Sequence, residues 1–218
     1  MRIRFLGHAT FLITTADGTK IVTDPYEPGG FGGAIKYGPL QEPADIVVVS
    51  HDHADHNYVQ MVPGKPVVVK EPGEYLERGV ALRSLSTYHD ASRGAQRGRN
   101  TVWVIKADGL TLCHLGDLGE PLNPEAVTAL GPLDVLMVPV GGVFTIDHRG
   151  ATGVMNSLRP RLTIPMHYST PKAGFNLASV EEFLAGKQGV RRVQGSEIEV
   201  SRDSLPQTPE VVVLQPAL

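Results

Sequence analysis

Ile46-Val47-Val48-Val49-Ser50-His51-Asp52-His53-Ala54-Asp55-His56-Asn57 is the stretch on which the reading of this chain turns. Four consecutive aliphatic residues between Asp45 and a polar cluster read as a strand buried on both faces. The cluster therefore stands at the C-terminal end of that strand. Three imidazoles and a carboxylate within six residues are donors that suit Zn²⁺ and related first-row ions, and the spacing H-x-H-x-D-H lets one tight loop send them in different directions. One loop can thus serve two ions.

Outward from the loop, the flanking segments read as strands and turns. Residues 2–16 give two strands with a turn or bulge at Gly7-His8, and Asp17-Gly18 is a hairpin signal leading into Lys20–Thr23. The glycine-rich segment from Tyr26 to Gly38 is long for a compact domain and reads as a mobile lid carrying Phe31 and Tyr37 as apolar contacts. Past the cluster, residues 57–62 suggest a helical turn with Asp55 or Asn57 near its cap, 66–69 a strand, 71–76 a short helix, and 80–87 a strand that delivers His89. Residues 91–99 form a glycine-punctuated basic loop containing Arg93, Arg97 and Arg99. A hairpin over 100–115 leads to His114-Leu115-Gly116-Asp117. Helices are expected at 124–130, capped by Asn123, from Asp147 or Thr152 toward Leu158, and over 177–184. Strands near 162–164, 198–200 and 211–213 complete the order. Leading strands followed by strands alternating with helices fit two mixed sheets with outer helices.

The 218 residues have length for one sizeable domain, here expected to span 1–218, and 41% hydrophobic with 20% charged residues is a globular composition. A net charge of −3 supplies no overall field for nucleic acid, which is disfavoured as a partner. No apolar run approaches the roughly 20 residues of a membrane span. With one cysteine, Cys113, and an opening Met1-Arg2-Ile3-Arg4-Phe5 that reads as strand rather than export signal, a cytoplasmic protein without membrane association is expected. A homo-oligomer stays open.

These motifs resemble the metallo-β-lactamase superfamily, whose hydrolases carry H-x-H-x-D-H after a strand in an αββα sandwich. The resemblance implies an α+β fold of two mixed sheets face to face with helices outside. It further implies His51, His53 and His89 on one ion, Asp55, His56 and His167 on the other, and Asp117 across both. These residues span 51–167, about half the chain. The segments Gly7-His8-Ala9-Thr10, Thr23-Asp24-Pro25, His114–Asp117, Val140–Thr145 and Pro165–Tyr168 look like the short metal-dependent hydrolase branch related to ascorbate-phosphate lactonase.

By the same resemblance, Asp24 and His8 lie beneath the metal loop, while His114 supports the ligands or is simply a satisfied buried histidine. Two divalent ions, zinc by the donor set with manganese or iron as alternatives, acidify a bridging water and polarise a substrate oxygen, with Asp55 and Asp117 as the catalytic carboxylates. The features of secreted β-lactamases, glyoxalase-type thioesterases, RNA-processing relatives and flavin-linked oxygen reductases are missing. What remains is a hydrolase of a small ester, phosphodiester or lactone, anionic because Arg93, Arg97 and Arg99 follow His89. Two other classes stand beside it: a single-stranded nucleic-acid phosphodiesterase, and a metal-stabilised binding protein without catalysis.

Overall fold

The computed structural model describes residues 1–218. The first half opens with β1 (Arg2–Gly7), β2 (Thr10–Thr14) and β3 (Lys20–Thr23). A kinked single turn, α1 (Gly30–Gly33), precedes β4 (Ile46–Val48), and a 3-10 turn at Val59–Met61 precedes β5 (Val67–Val69). An antiparallel run follows: β6 (Glu74–Glu77), β7 (Val80–Tyr88), β8 (Arg99–Ala107) and β9 (Leu110–His114). The remainder alternates as α2 (Pro124–Leu130), β10 (Val135–Pro139), α3 (His148–Leu158), β11 (Leu162–Met166), α4 (Val180–Leu184), β12 (Val190–Arg192), β13 (Glu197–Glu199) and β14 (Glu210–Val213).

Two sheets result. One has the order β13-β1-β2-β3-β4-β5, the other β12-β14-β11-β10-β9-β8-β7-β6, and both mix parallel with antiparallel pairs. Alternation decides which side each residue joins. Ile3, Phe5, Phe11, Ile13, Ile46 and Val48 point inward and meet Trp103, Leu112, Met137 and Ile164 of the second sheet in a core of 44 buried residues. Each such large apolar side chain contributes roughly 1.5–3 kcal/mol on burial. Trp103 also donates its indole N–H to the Val49 carbonyl at 2.8 Å, so the residue just past β4 is tied to the opposite sheet.

On the outer face of the first sheet Leu6, Leu12, Val22, Val47 and Val49 are covered by Leu40, Ala44, Val62, the 3-10 turn and the chain end at Ala217-Leu218. No α-helix covers this face. Helices α2, α3 and α4 all serve the second sheet, α2 against β7 and α3 against β10 and α4. The expected α+β sandwich is present, with one of its outer layers reduced to loops and a single 3-10 turn. No helix is long and apolar enough to cross a membrane.

Capping signals were accurate where they were local. Asn123 accepts the Ala126 N–H at 2.8 Å, and Asp147 accepts those of Arg149 and Gly150. Three readings are corrected. Residues 71–76 do not form a helix: Glu74–Glu77 alternate in exposure and pair antiparallel with β7 across Arg78-Gly79, both at positive φ. The turn past the cluster takes Tyr58 as its cap, not Asp55 or Asn57. The last helix begins at Val180 because Leu177 and Ala178 are held by Gly141 and Ser169 outside any helix.

The organising consequence is at one edge. His8, Asp24, His51, His89, Asp117 and His167 stand just past the C-terminal ends of β1, β3, β4, β7, β9 and β11, drawn from both sheets.

Candidate metal centre

At that edge, donor atoms converge in three overlapping groups. Those of His51, His53 and His89 lie within 4.8 Å of one another; so do those of His8, Asp55, His56 and His167, and those of His51, His56 and Asp117. Asp117 joins them. Its Oδ2 is 3.2 Å from His56 Nε2, 3.2 Å from His89 Nε2, 3.4 Å from His167 Nε2 and 4.0 Å from His51 Nε2. One carboxylate oxygen thus faces imidazoles of both halves.

The fit of these residues to cations rests on what they leave unsatisfied. His56 Nε2 and Asp117 Oδ1 are buried without a hydrogen-bond partner, as are the Nδ1 atoms of His8, His89 and His167. His51 Nε2 faces His53 Nδ1 at 2.9 Å, two ring nitrogens aimed at the same space. Buried polar atoms are nearly always paired, and His56 Nε2, orphaned 3.2 Å from Asp117 Oδ2 among the converging donors, is an atom that a cation would satisfy.

Behind the donors, partners fix the tautomers. Asp24 is fully buried; its Oδ1 accepts the Ser50 N–H at 2.7 Å, and its Oδ2 accepts Ser50 Oγ–H at 2.6 Å and His56 Nδ1–H at 3.0 Å. In the neutral ring that bond leaves Nε2 as the lone pair, pointing inward. Ser50 Oγ, its proton committed to Asp24, accepts His51 Nδ1–H at 2.9 Å and frees His51 Nε2 in the same way. His114 is not among the donors. Its Nε2–H goes to the Ala9 carbonyl at 2.8 Å, its Nδ1 accepts from Gly116, and it lies 3.9 Å from Asp24.

His8 is closer to the centre than a place beneath the loop would put it, with Nε2 3.1 Å from Asp55 Oδ2 and its ring 4.2 Å from that of His167. Asn100 was not anticipated. It accepts the Asp117 N–H at 2.9 Å and donates to Leu115 O and Thr87 Oγ1, and no motif marks it because it acts from the far side of the β8–β9 hairpin.

The electrostatics follow from burial. Desolvation opposes ionisation of Asp117 and Asp24, but the surrounding imidazoles, His167 and His56 for the first and His114 and His56 for the second, outweigh it and hold both below the usual carboxylate range. Burial pushes His51 and His167 down to about 3, so their nitrogens remain neutral and able to ligate. Burial also disfavours a charged His56, yet Asp117 and Asp55 reverse that and hold it well above its ordinary value.

Close packing and strained backbone set the loops. A side chain at Gly119 would run into the His89–Asp90 backbone, so the chain past Asp117 can lie against His89 only as glycine. His8, Asp24 and His167 take positive φ (56, 40 and 51). Such outliers cost about 1–3 kcal/mol each and persist where the surroundings dictate them.

A cavity of about 220 Å³ opens on the donors, lined by His53, Asp55, His89 and Asp117 on one side and by Phe31, Phe144, Phe175 and Arg97 on the other. Of the expected substrate contacts, only Phe31 and Arg97 are here. Tyr37 is buried, its hydroxyl 2.6 Å from Thr170 Oγ1 and its ring against Gly7 and Tyr26. It anchors the Tyr26–Gly38 segment, which packs through Ile35 on Ala173. Arg93 lines a separate depression with Tyr88, Glu120 and Leu122, and Arg99 is held in β8 opposite Tyr88. The loop is coiled on Asp90, whose carboxylate accepts the N–H groups of Ser92, Gly94, Gln96 and Arg97 and so presents Arg97 alone. Asp52 pairs with Asn57 at the surface, and Cys113 is an inert core thiol pushed up to about 12 by burial.

Residues 2–167 match the model of the beta-lactamase superfamily domain, and that span contains every donor described. The chain belongs to the metallo-β-lactamase superfamily. Within the superfamily it falls in the branch of short metal-dependent hydrolases. It is 30% identical over 195 residues to a UPF0173 metal-dependent hydrolase of Thermococcus kodakarensis, covering 78% of this chain and 85% of that one. A UPF0173 metal-dependent hydrolase of Pelotomaculum thermopropionicum is 32% identical over 198 residues, with the same coverage. Among solved structures, a Thermotoga maritima protein assigned provisionally as a Zn-dependent hydrolase of this superfamily superposes with a TM-score of 0.80 at 36% identity, over 98% of this chain and 97% of that one.

Proposed function

We propose that this protein is a dinuclear metal-dependent hydrolase acting on a small anionic ester, phosphodiester or lactone. The observation that carries the reading is the position of Asp117 Oδ2, facing His56, His89 and His167 at 3.2–3.4 Å where the donor groups converge. His51, His53 and His89 would hold one ion, Asp55, His56 and His167 the other, with Asp117 shared. Ions held there supply Lewis acidity and a water acidified toward neutral pH, zinc being the natural occupant of this donor set and manganese or iron compatible with it.

The chain's own residues do the rest. Asp55 and Asp117 bring negative charge that offsets repulsion between two cations. Asp24 and Ser50 hold the imidazoles of His56 and His51 in the tautomer that aims Nε2 inward. Phe31, Phe144 and Phe175 narrow the approach and displace water from beside the reacting bond. No serine or cysteine at the cavity is needed as nucleophile.

The test is hydrolysis of a panel of phosphodiesters, lactones and esters by protein as isolated, after chelation and after return of zinc, manganese or iron. Turnover lost on chelation and restored by one of these ions is expected. Turnover indifferent to chelation would contradict the reading.

A further inference from the structure

The wall of the cavity opposite the donors is not explained by metal chemistry. All of its apolar lining residues are phenylalanines, Phe31, Phe144 and Phe175, supplied by the α1 turn and two separate loops. Phe175 is the hub. Its centroid lies 5.5 Å from Phe31 and 6.3 Å from Phe144, both edge-to-face, and 5.5 Å from the ring of His8. Arg97 lies over Phe144 with its guanidinium carbon 4.2 Å from the ring centroid, and it makes no ion pair with any carboxylate. Stacking leaves the edges of a guanidinium free to donate.

Two of the rings are held out by unusual backbone. Phe31 takes φ 52 and is 55% exposed; Val143, immediately before Phe144, takes φ 63. Positive φ is a genuine outlier for bulky and β-branched residues, and a conformation that exposes a large apolar ring at a cavity needs a reason outside the core. At about 220 Å³ the space is smaller than the 300–1,000 Å³ typical of drug-sized sites and takes one ring with its substituents. A wall made wholly of aromatic faces and edges selects a flat partner over a puckered aliphatic one. A lone unpaired guanidinium selects one anionic group.

We infer that Phe31, Phe144, Phe175 and Arg97 form a recognition subsite for a planar ring bearing a single negative charge, so that the substrate is a small ring compound whose anionic group is separate from the bond cleaved at the donor side. This rests on the hydrolase reading for the word substrate, and on the cavity alone for the ligand class.

Two arms separate those dependencies. The first measures kcat/KM of metal-loaded protein on 4-carboxyphenyl acetate, phenyl acetate and 4-acetoxycyclohexanecarboxylate. Arg97→Gln is expected to lower the value for 4-carboxyphenyl acetate about tenfold, as for loss of a hydrogen bond to a charged group, while leaving phenyl acetate within about twofold. Phe175→Leu and Phe31→Leu are expected to penalise both aryl esters more than the cyclohexane ester. The second arm needs no turnover: ligand-observed NMR with 4-hydroxybenzoate, phenol and 4-hydroxycyclohexanecarboxylate. Preferential binding of 4-hydroxybenzoate, weakened by Arg97→Gln, supports the subsite even if no ester is hydrolysed, in which case the hydrolase reading alone is at fault. Equal binding of the three compounds, or a loss on Arg97→Gln that is the same with and without the carboxylate, overturns the inference.

Discussion

The two walls of the cavity are built by opposite means. On the donor side the side chains stand at strand ends, are largely buried, and are each held from behind, His56 by Asp24, His51 by Ser50 and the Asp117 backbone by Asn100. On the other side Phe31, Phe144, Phe175 and Arg97 ride on the α1 turn and three loops, with Phe31 and Arg97 exposed and Phe144 and Phe175 partly buried, and touch mainly one another. Chemistry that tolerates errors of only about 0.5 Å is anchored at the strand ends, and the part that chooses a ligand is lodged where substitution disturbs no ladder.

If that division is right, damage to the donor wall costs the most. Asp117→Asn removes the negative charge shared by both donor groups, and metal content and activity are expected to fall together, beyond the roughly 10–100-fold that a supporting partner costs. Asp24→Asn should fall inside that range: it keeps the shape but weakens the acceptor that sets His56, and metal affinity measured by competition with a chelator is expected to drop about 10–100-fold. A larger loss from Asp24→Asn than from Asp117→Asn would reverse the roles assigned to them.

A pH series on metal-free protein probes the burial of the same wall. His51 and His167 fold with values near 3 against an ordinary 6.5, so the unfolded chain binds more protons between those limits and stability is lost as pH falls through the window. The raised His56 acts in the other direction, but its contribution is already complete below about 6.5 and does not change there. Urea midpoints are therefore expected to decrease from pH 6.5 to pH 4. A flat or rising profile would show that these imidazoles are not buried as neutral groups.

The smallest effect belongs to the loop wall. Asp90→Asn removes charge from an acceptor of four backbone N–H groups that coils residues 91–98. Amide exchange at Gln96 and Arg97 should quicken while metal content stays unchanged. Loss of metal in this variant would show that the two walls are not independent.

The same contrast explains what could be read in the sequence. H-x-H-x-D-H is local and follows an aliphatic run, so the loop at 51–56 and its strand were legible together, as were the caps at Asn123 and Asp147. His89, Asp117 and His167 came only through resemblance, yet the fold brings them to the same point. Asn100 and Phe175 carried no signal because each acts across the fold on a partner distant in sequence, and Phe144 stood in the segment Val140–Thr145 that the resemblance marked without assigning the ring a role. Tyr37 was misplaced for a related reason: a glycine-rich run suggests a free loop, and nothing in it tells that Thr170 and Gly7 will close over the ring. Residues 71–76 show a local failure, since a four-residue edge strand is too short for alternation to outweigh acidic residues that favour a helix start.

The central claim, two cations shared through Asp117, is tested most directly by elemental analysis of the purified protein, before and after supplementation with zinc, manganese or iron. Two ions per chain are predicted, falling in Asp117→Asn and unchanged in Arg97→Gln. One ion or fewer per wild-type chain after supplementation would contradict it.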